Sequence, residues 1–215
     1  MRSRLRRRER VVHRGRRRRR AVALTFDDGP SEWTPALLDV LRDHRARATF
    51  FVLGRAVAGR EKTVRRTLSE GHELGNHLHD HRDPAQLTDE ELLGELKRAS
   101  RALQSVVGMA PRLVRPPYGH DARRVSRIAA SIGLGPTVLG CVDPSDWCVS
   151  EPDTIVRRVL ADAAPGAIVF LHDGIPPGDT SATQSRGPTV QAVAELLPVL
   201  AARGYELVTV SELLR

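Results

Sequence analysis

Apolar residues in this chain gather in short unbroken runs, separated by longer stretches in which they return every third or fourth position. The runs are AVALTF (21–26), ATFFVL (48–53), PRLVR (111–115), PTVLGC (136–141), AIVFLH (167–172) and ELVTV (206–210). Unbroken runs of this length read as strands with both faces covered, whereas a half-exposed strand alternates. The intervening periodicity predicts helices over 34–44, 61–70, 88–107, 122–132, 153–163 and 189–203. The clearest opens on Thr88-Asp89-Glu90-Glu91, a capping box in which Thr88 and Glu91 satisfy each other's backbone N–H groups. Leu92, Leu93, Leu96, Ala99, Leu103, Val106 and Val107 then hold one face, and Gly108 supplies a stop. Strands alternating with helices predict an α/β fold of parallel units with right-handed crossovers, either an open sheet or a barrel. The one long polar loop, rich in glycine and proline, is 174–188.

Charge alters this picture only at one end. The first twenty residues hold twelve arginines and one glutamate, so residues 21–215 carry about −3 of a whole-chain +8. Self-repulsion predicts that residues 1–20 form a disordered arm attractive to polyanions, with one domain over 21–215. No apolar run in that arm reaches signal-peptide length, and none approaches a membrane span. A mildly acidic remainder with only eight Phe, Trp and Tyr residues argues against a nucleic-acid-binding groove. Two cysteines, Cys141 and Cys148, are too few for a disulfide scaffold, and two buried thiols are the expectation over a bridge.

The candidate chemistry lies where apolar runs stop. Asp27 and Asp28 follow 21–26, His77 follows ELGN, Arg115 closes 111–115, Asp146 lies just past 136–141 and His172 closes 167–172. Parallel β/α architectures gather strand C-terminal ends on one face, where reactive groups collect. Two imidazoles and one carboxylate would leave a zinc-like ion with open positions, suited to activating water. Asp28 offers the carboxylate and the cluster GNHLHDH (75–81) the imidazoles. Asp27 is placed to act as general base, and His172 to protonate a leaving group. Each motif alone also fits a blander account: Asp-Gly-Pro is good turn chemistry, and the histidines would suit a solvated loop.

In order, TFDDGP, GHELGNHLHDH, RPPYG, DPSDW and FLHD resemble the five motifs of the polysaccharide deacetylases, carbohydrate esterase family 4. The resemblance covers about residues 20–215. It implies a distorted (β/α) barrel of about seven parallel strands, with the catalytic face at the strand C-terminal ends. It also implies a divalent metal held by Asp28, His77 and His81, most simply Zn²⁺, with Co²⁺, Ni²⁺ or Mn²⁺ suiting the same donors. By the same resemblance Asp27 is the base, Arg115 orients it, His172 is the acid and Asp146 tunes His172. The Tyr118 backbone N–H, beside Pro117, is an oxyanion donor, Trp147 an aromatic wall for the sugar and Leu171 part of an acetyl pocket. His72 and His79 fall at non-ligand positions. The implied reaction is removal of N-acetyl groups from N-acetylglucosamine units of chitin, chitooligosaccharide or peptidoglycan. An O-acetyl esterase acting on xylan and a non-catalytic carbohydrate-binding relative are the alternatives.

The resemblance implies export to a wall or extracellular polymer; with no signal peptide visible, either the start is incomplete or the substrate is intracellular. One position departs from the family pattern. Ser or Thr usually follows the first ligand histidine and helps fix the loop; here it is Leu78, with Asp80 as a candidate substitute.

Overall fold

The computed structural model of the chain describes residues 9–180 and 183–215. Seven strands are present among them: β1 Val11–Val12, β2 Ala21–Asp27, β3 Ala48–Val52, β4 Glu73–Asn76, β5 Thr137–Val138, β6 Ile168–His172 and β7 Glu206–Leu207. Seven α-helices accompany them: α1 Thr34–Asp43, α2 Glu61–Ser69, α3 Asp89–Val107, α4 Ala122–Ser131, α5 Pro152–Asp162, α6 Gly187–Ala202 and α7 Val210–Leu213. Every strand pairing is parallel, with β4-β3-β2-β6 side by side and β7 against the start of β2. Single parallel bridges carry the ring onward, as Val114 joins Asn76 to Thr137 and Val142 joins Val169. This is the α/β distorted barrel that the strand–helix alternation and the motifs imply. None of the described helices is long and apolar enough to cross a membrane.

Period-2 alternation sorts the strands into two layers. Ala21 and Ala23 pack inside the barrel with Val12, Phe51, Leu113, Val138 and Ile168. Val22, Leu24 and Phe26 face outward into a larger core shared with Leu37, Leu38, Leu41, Val193, Leu196 and Leu197 from α1 and α6. Asp27 continues the inward phase of Ala21, Ala23 and Thr25, so the alternation itself delivers a carboxylate to the barrel's mouth. The capping box at Thr88 forms as expected, and Gly108 ends α3 at φ 75, a left-handed conformation that glycine adopts without steric cost.

Four sequence expectations need correction. The arm expected to be disordered over 1–20 is folded from residue 9 onward, while its first eight residues lie outside those described. Val11 and Val12 pair with Thr137 and Val138 of β5, and the Gly15 N–H reaches the Gly166 carbonyl at 2.8 Å. Two β-branched residues filling an open hydrogen-bonding slot outweigh charge repulsion there, because most of the neighbouring arginines stay in solvent. The run 111–115 contributes only one bridging residue, Val114, since Pro111, Pro116 and Pro117 cannot donate to a ladder. The run 206–210 stops at Leu207 because Thr209 caps α7, accepting from the Glu212 N–H. The cysteines are both free as expected, but Cys148 is exposed and Cys141 half-buried, so they are not two buried thiols.

His72 is buried at the outer edge of the sheet, accepting the Ala48 N–H on Nδ1 at 3.2 Å, with Nε2 unpartnered. Burial lowers its pKa from the ordinary 6.5 to about 4. The unfolded chain therefore takes up this proton first as pH falls. The contribution is complete above pH 6.5 and is lost as pH drops toward 4, by about 3 kcal/mol at most. Urea unfolding of chelator-treated protein at pH 7 and pH 4 should show His72→Gln losing less stability than the wild type by about this amount. Equal losses would remove His72 as the source.

Candidate active site

Asp27 ends β2, and the chain then turns sharply, with Asp28 at φ 73. The turn is braced from β6: the Asp173 N–H donates to the Asp27 carbonyl at 3.0 Å, and Asp173 Oδ2 accepts from Thr34 Oγ1 at 2.6 Å. A Cβ at residue 29 would lie 2.1 Å from Asp173 Oδ2, so only glycine fits there. His77 follows β4, and a loop with Leu78 at φ 65 and His81 at φ 59 brings the second imidazole round. Tyr118, at φ 58, flanks it with its ring centroid 4.9 Å from that of His81. Non-glycine residues in left-handed backbone are uncommon and costly, and four of them meet here, as they do at sites where geometry is held for function.

His81 Nε2 lies 3.2 Å and His77 Nε2 3.4 Å from Asp28 Oδ1, and the three donor atoms lie within 4.8 Å of one another. That oxygen is buried without a hydrogen bond in the structure. His77 Nδ1 sits 2.8 Å from the Arg115 carbonyl, which can only accept. Nδ1 therefore carries the proton, and Nε2 turns its lone pair inward. Burial would raise the Asp28 carboxyl, but the His77, His81 and His172 imidazoles outweigh it and bring the pKa down to about 2. Burial also pushes His81 down to about 4, against the pull of Asp28 and Asp27, leaving a neutral ring at neutral pH. An ionised carboxylate and two inward imidazole nitrogens around an unsatisfied oxygen form a triad fitted to a divalent metal.

On one side of this triad stands Asp27. Arg115 Nη1 donates to Asp27 Oδ1 at 2.8 Å and to Thr25 Oγ1 at 2.7 Å. The guanidinium is itself fixed by the Val138 and Leu139 carbonyls and lies 4.1 Å over the Phe51 ring, so the pair is rigid and buried. On the other side stands His172. Asp146 Oδ1 lies 2.7 Å from His172 Nδ1, and Asp146 Oδ2 accepts from both the His172 N–H and Thr189 Oγ1. Burial disfavours the imidazolium, yet Asp146 prevails and lifts the His172 pKa to about 9.

Asp27, Asp28, His77, His81, Arg115, Tyr118, Trp147 and His172 all line one cavity of about 780 Å³ at the strand C-terminal ends. Asp146 is buried behind His172. Two expected residues do not line the cavity. Leu171 points outward into the core with Phe26 and Val169, and its neighbour Phe170 takes the inward position. Pro117 is buried beneath the Tyr118 turn. His79 faces Gly54, where a Cβ would come within 2.4 Å of its Nδ1, and is not part of the triad.

Reading the sequence overlooked two residues. His13, carried in by β1, lines the cavity. Glu95 of α3, fully buried, accepts the His79 and Asp80 N–H groups at 2.9 and 2.8 Å. A carboxylate in phase with Leu92, Leu96 and Ala99 on an apolar helix face was the available signal.

Residues 14–136 match the family model described as polysaccharide deacetylase. The chain is 47% identical over 194 residues to a chitooligosaccharide deacetylase of Bradyrhizobium sp. (strain ANU 289), covering 87% of this chain and 88% of the relative. It is 40% identical over 197 residues to a peptidoglycan-N-acetylglucosamine deacetylase of Bacillus cereus, covering 90% and 88%. Among solved structures, a peptidoglycan N-acetylglucosamine deacetylase in complex with an N-hydroxybenzamide compound superposes with a TM-score of 0.87. That match has 32% identity and covers 95% of this chain and 92% of the other.

Proposed function

This chain belongs to the polysaccharide deacetylase family, and on that premise we propose that it is a metal-dependent hydrolase of N-acetylglucosamine units. Its substrate class is chitooligosaccharide or peptidoglycan, the two named for its relatives. The observation that carries this reading is the unsatisfied Asp28 Oδ1 between two inward imidazole nitrogens, with a paired carboxylate on one side and a paired imidazole on the other.

Asp28, His77 and His81 would hold the ion, and we assign Zn²⁺, with Co²⁺, Ni²⁺ and Mn²⁺ compatible with the same donors. When bound, a divalent ion supplies Lewis acidity, lowering the pKa of water and polarising the acetyl oxygen. Asp27, held by Arg115, accepts a proton from the water as its oxygen adds to the acetyl carbon. The Tyr118 backbone N–H donates to the oxygen on which charge develops. His172, with Nδ1 committed to Asp146, offers its Nε2 proton to the nitrogen as the C–N bond breaks, and acetate and a free amino sugar leave. Trp147, about one-third exposed at the rim, supplies a wall for a sugar ring. Arg16, Arg18, Arg19 and Arg215 line a second, smaller cavity together with Glu212, and Arg19 pairs with Glu206; we read the remaining positive charge as a surface for polyanions, with binding that weakens as salt rises.

Acetate release from N-acetylchitooligosaccharides, peptidoglycan and acetylated xylan tests the assignment. Turnover of either N-acetylated substrate with none of xylan is expected. Xylan turnover alone would make the protein an O-acetyl esterase, and no release from any would make it a binding relative.

A further inference from the structure

The ligand histidines of the proposed metal site lie four residues apart, and their convergence on Asp28 depends on the backbone of residues 78–80. That segment is not a regular turn: Leu78 and His81 both occupy left-handed backbone. Leu78 brings no hydroxyl to hold it, and its side chain is fully buried among Leu87, Leu92, Leu96 and Val114. The loop's N–H groups are gathered from elsewhere. The Leu78 N–H donates to Asn76 Oδ1 at 2.9 Å, and those of His79 and Asp80 converge on one oxygen, Glu95 Oε2.

Glu95 stands one helical turn from Leu92 and Ala99, adjacent to Leu96, with no exposed surface. Burying a carboxylate in an apolar layer is costly unless it is paired and hydrogen-bonded, and a leucine of similar volume would pack there without that cost. Its Oε1 pairs with Arg98, whose guanidinium also reaches Asp80 Oδ2 at 3.1 Å, so the carboxylate is tied to the loop through both oxygens. It does not line the cavity, so direct contact with substrate does not explain it.

We infer that Glu95 is a positioning residue for the metal: its carboxylate fixes residues 79 and 80 so that the His77 and His81 Nε2 atoms aim at one point. The anionic acceptor in α3 does for this loop what a side chain within it would otherwise have to do. Asn76 completes the same staple, donating through Nδ2 to the Leu96 carbonyl at 2.9 Å and to Ser100 Oγ at 3.0 Å. The inference rests on the reading of Asp28, His77 and His81 as metal ligands.

Competition titration of chelator-stripped protein with Zn²⁺ tests it, alongside the visible spectrum of the Co²⁺ form and the melting temperature of the stripped form. Glu95→Gln keeps the size and removes the charge. It should raise the Zn²⁺ Kd by about 10- to 100-fold and alter the Co²⁺ bands. A Zn²⁺ Kd and Co²⁺ spectrum like those of the wild type would overturn the inference, whether or not the melting temperature falls, because a merely structural carboxylate lowers only the latter. If Glu95→Gln does not fold, the half-exposed Arg98→Gln carries the same test: a weaker Zn²⁺ affinity supports the inference and an unchanged one overturns it. Wild-type protein that takes up neither ion would instead refute the metal reading itself, and with it this inference.

Discussion

Asp27→Asn should lower kcat on an N-acetylated chitooligosaccharide by about 10²- to 10⁴-fold, the range over which a positioned general base contributes. The metal affinity should stay within a few-fold of wild type, because Asp27 Oδ2 is 3.9 Å from the nearest imidazole nitrogen and is outside the Asp28, His77, His81 triad. The same substitution leaves the buried Arg115 guanidinium without its carboxylate. Breaking a buried pair by removing one partner costs about 3–5 kcal/mol, although here Thr25 Oγ1 and two carbonyls still accept from Arg115 and hold the loss to the lower end. Turnover, metal binding and thermal unfolding measured on one preparation separate the two effects. A variant that keeps its rate would show that Asp27 is only a structural counter-ion.

His172→Ala should lower kcat by a similar factor, about 10²- to 10⁴-fold, with the ion still bound. The informative companion is Asp146→Asn. With His172 held at about 9, the protonated acid is present through neutral pH, and activity falls as pH rises through that value. Without the Asp146 charge, burial dominates, the imidazolium is destabilised and the alkaline limb should shift to lower pH. An alkaline limb that does not move would remove Asp146 as the group that sets His172.

The candidate site residues were legible because they fall at strand ends, where a barrel brings distant segments together; Asp27, Asp28, His77, Arg115 and His172 need no register to be found. Features that depend on register were not. The run IVFLH is apolar on both faces, so nothing in it tells whether Phe170 or Leu171 faces inward; pairing of Leu171 with Phe26 and of His172 with Asp27 decides it. At the N-terminus, charge density concealed Val11 and Val12, whose value lies in the slot offered by β5 more than a hundred residues away. Glu95 was hidden differently: its helix phase marks it as buried, but the loop N–H groups of His79 and Asp80 that it accepts leave no trace in composition.

Hydrolysis of the N-acetyl group is proposed to require an ion held by Asp28, His77 and His81. The most direct test is acetate release from a chitooligosaccharide by protein stripped with chelator and titrated back with Zn²⁺. Stripping should abolish release, and a single ion per chain should restore it. Undiminished release by protein shown to be free of metal would contradict this requirement.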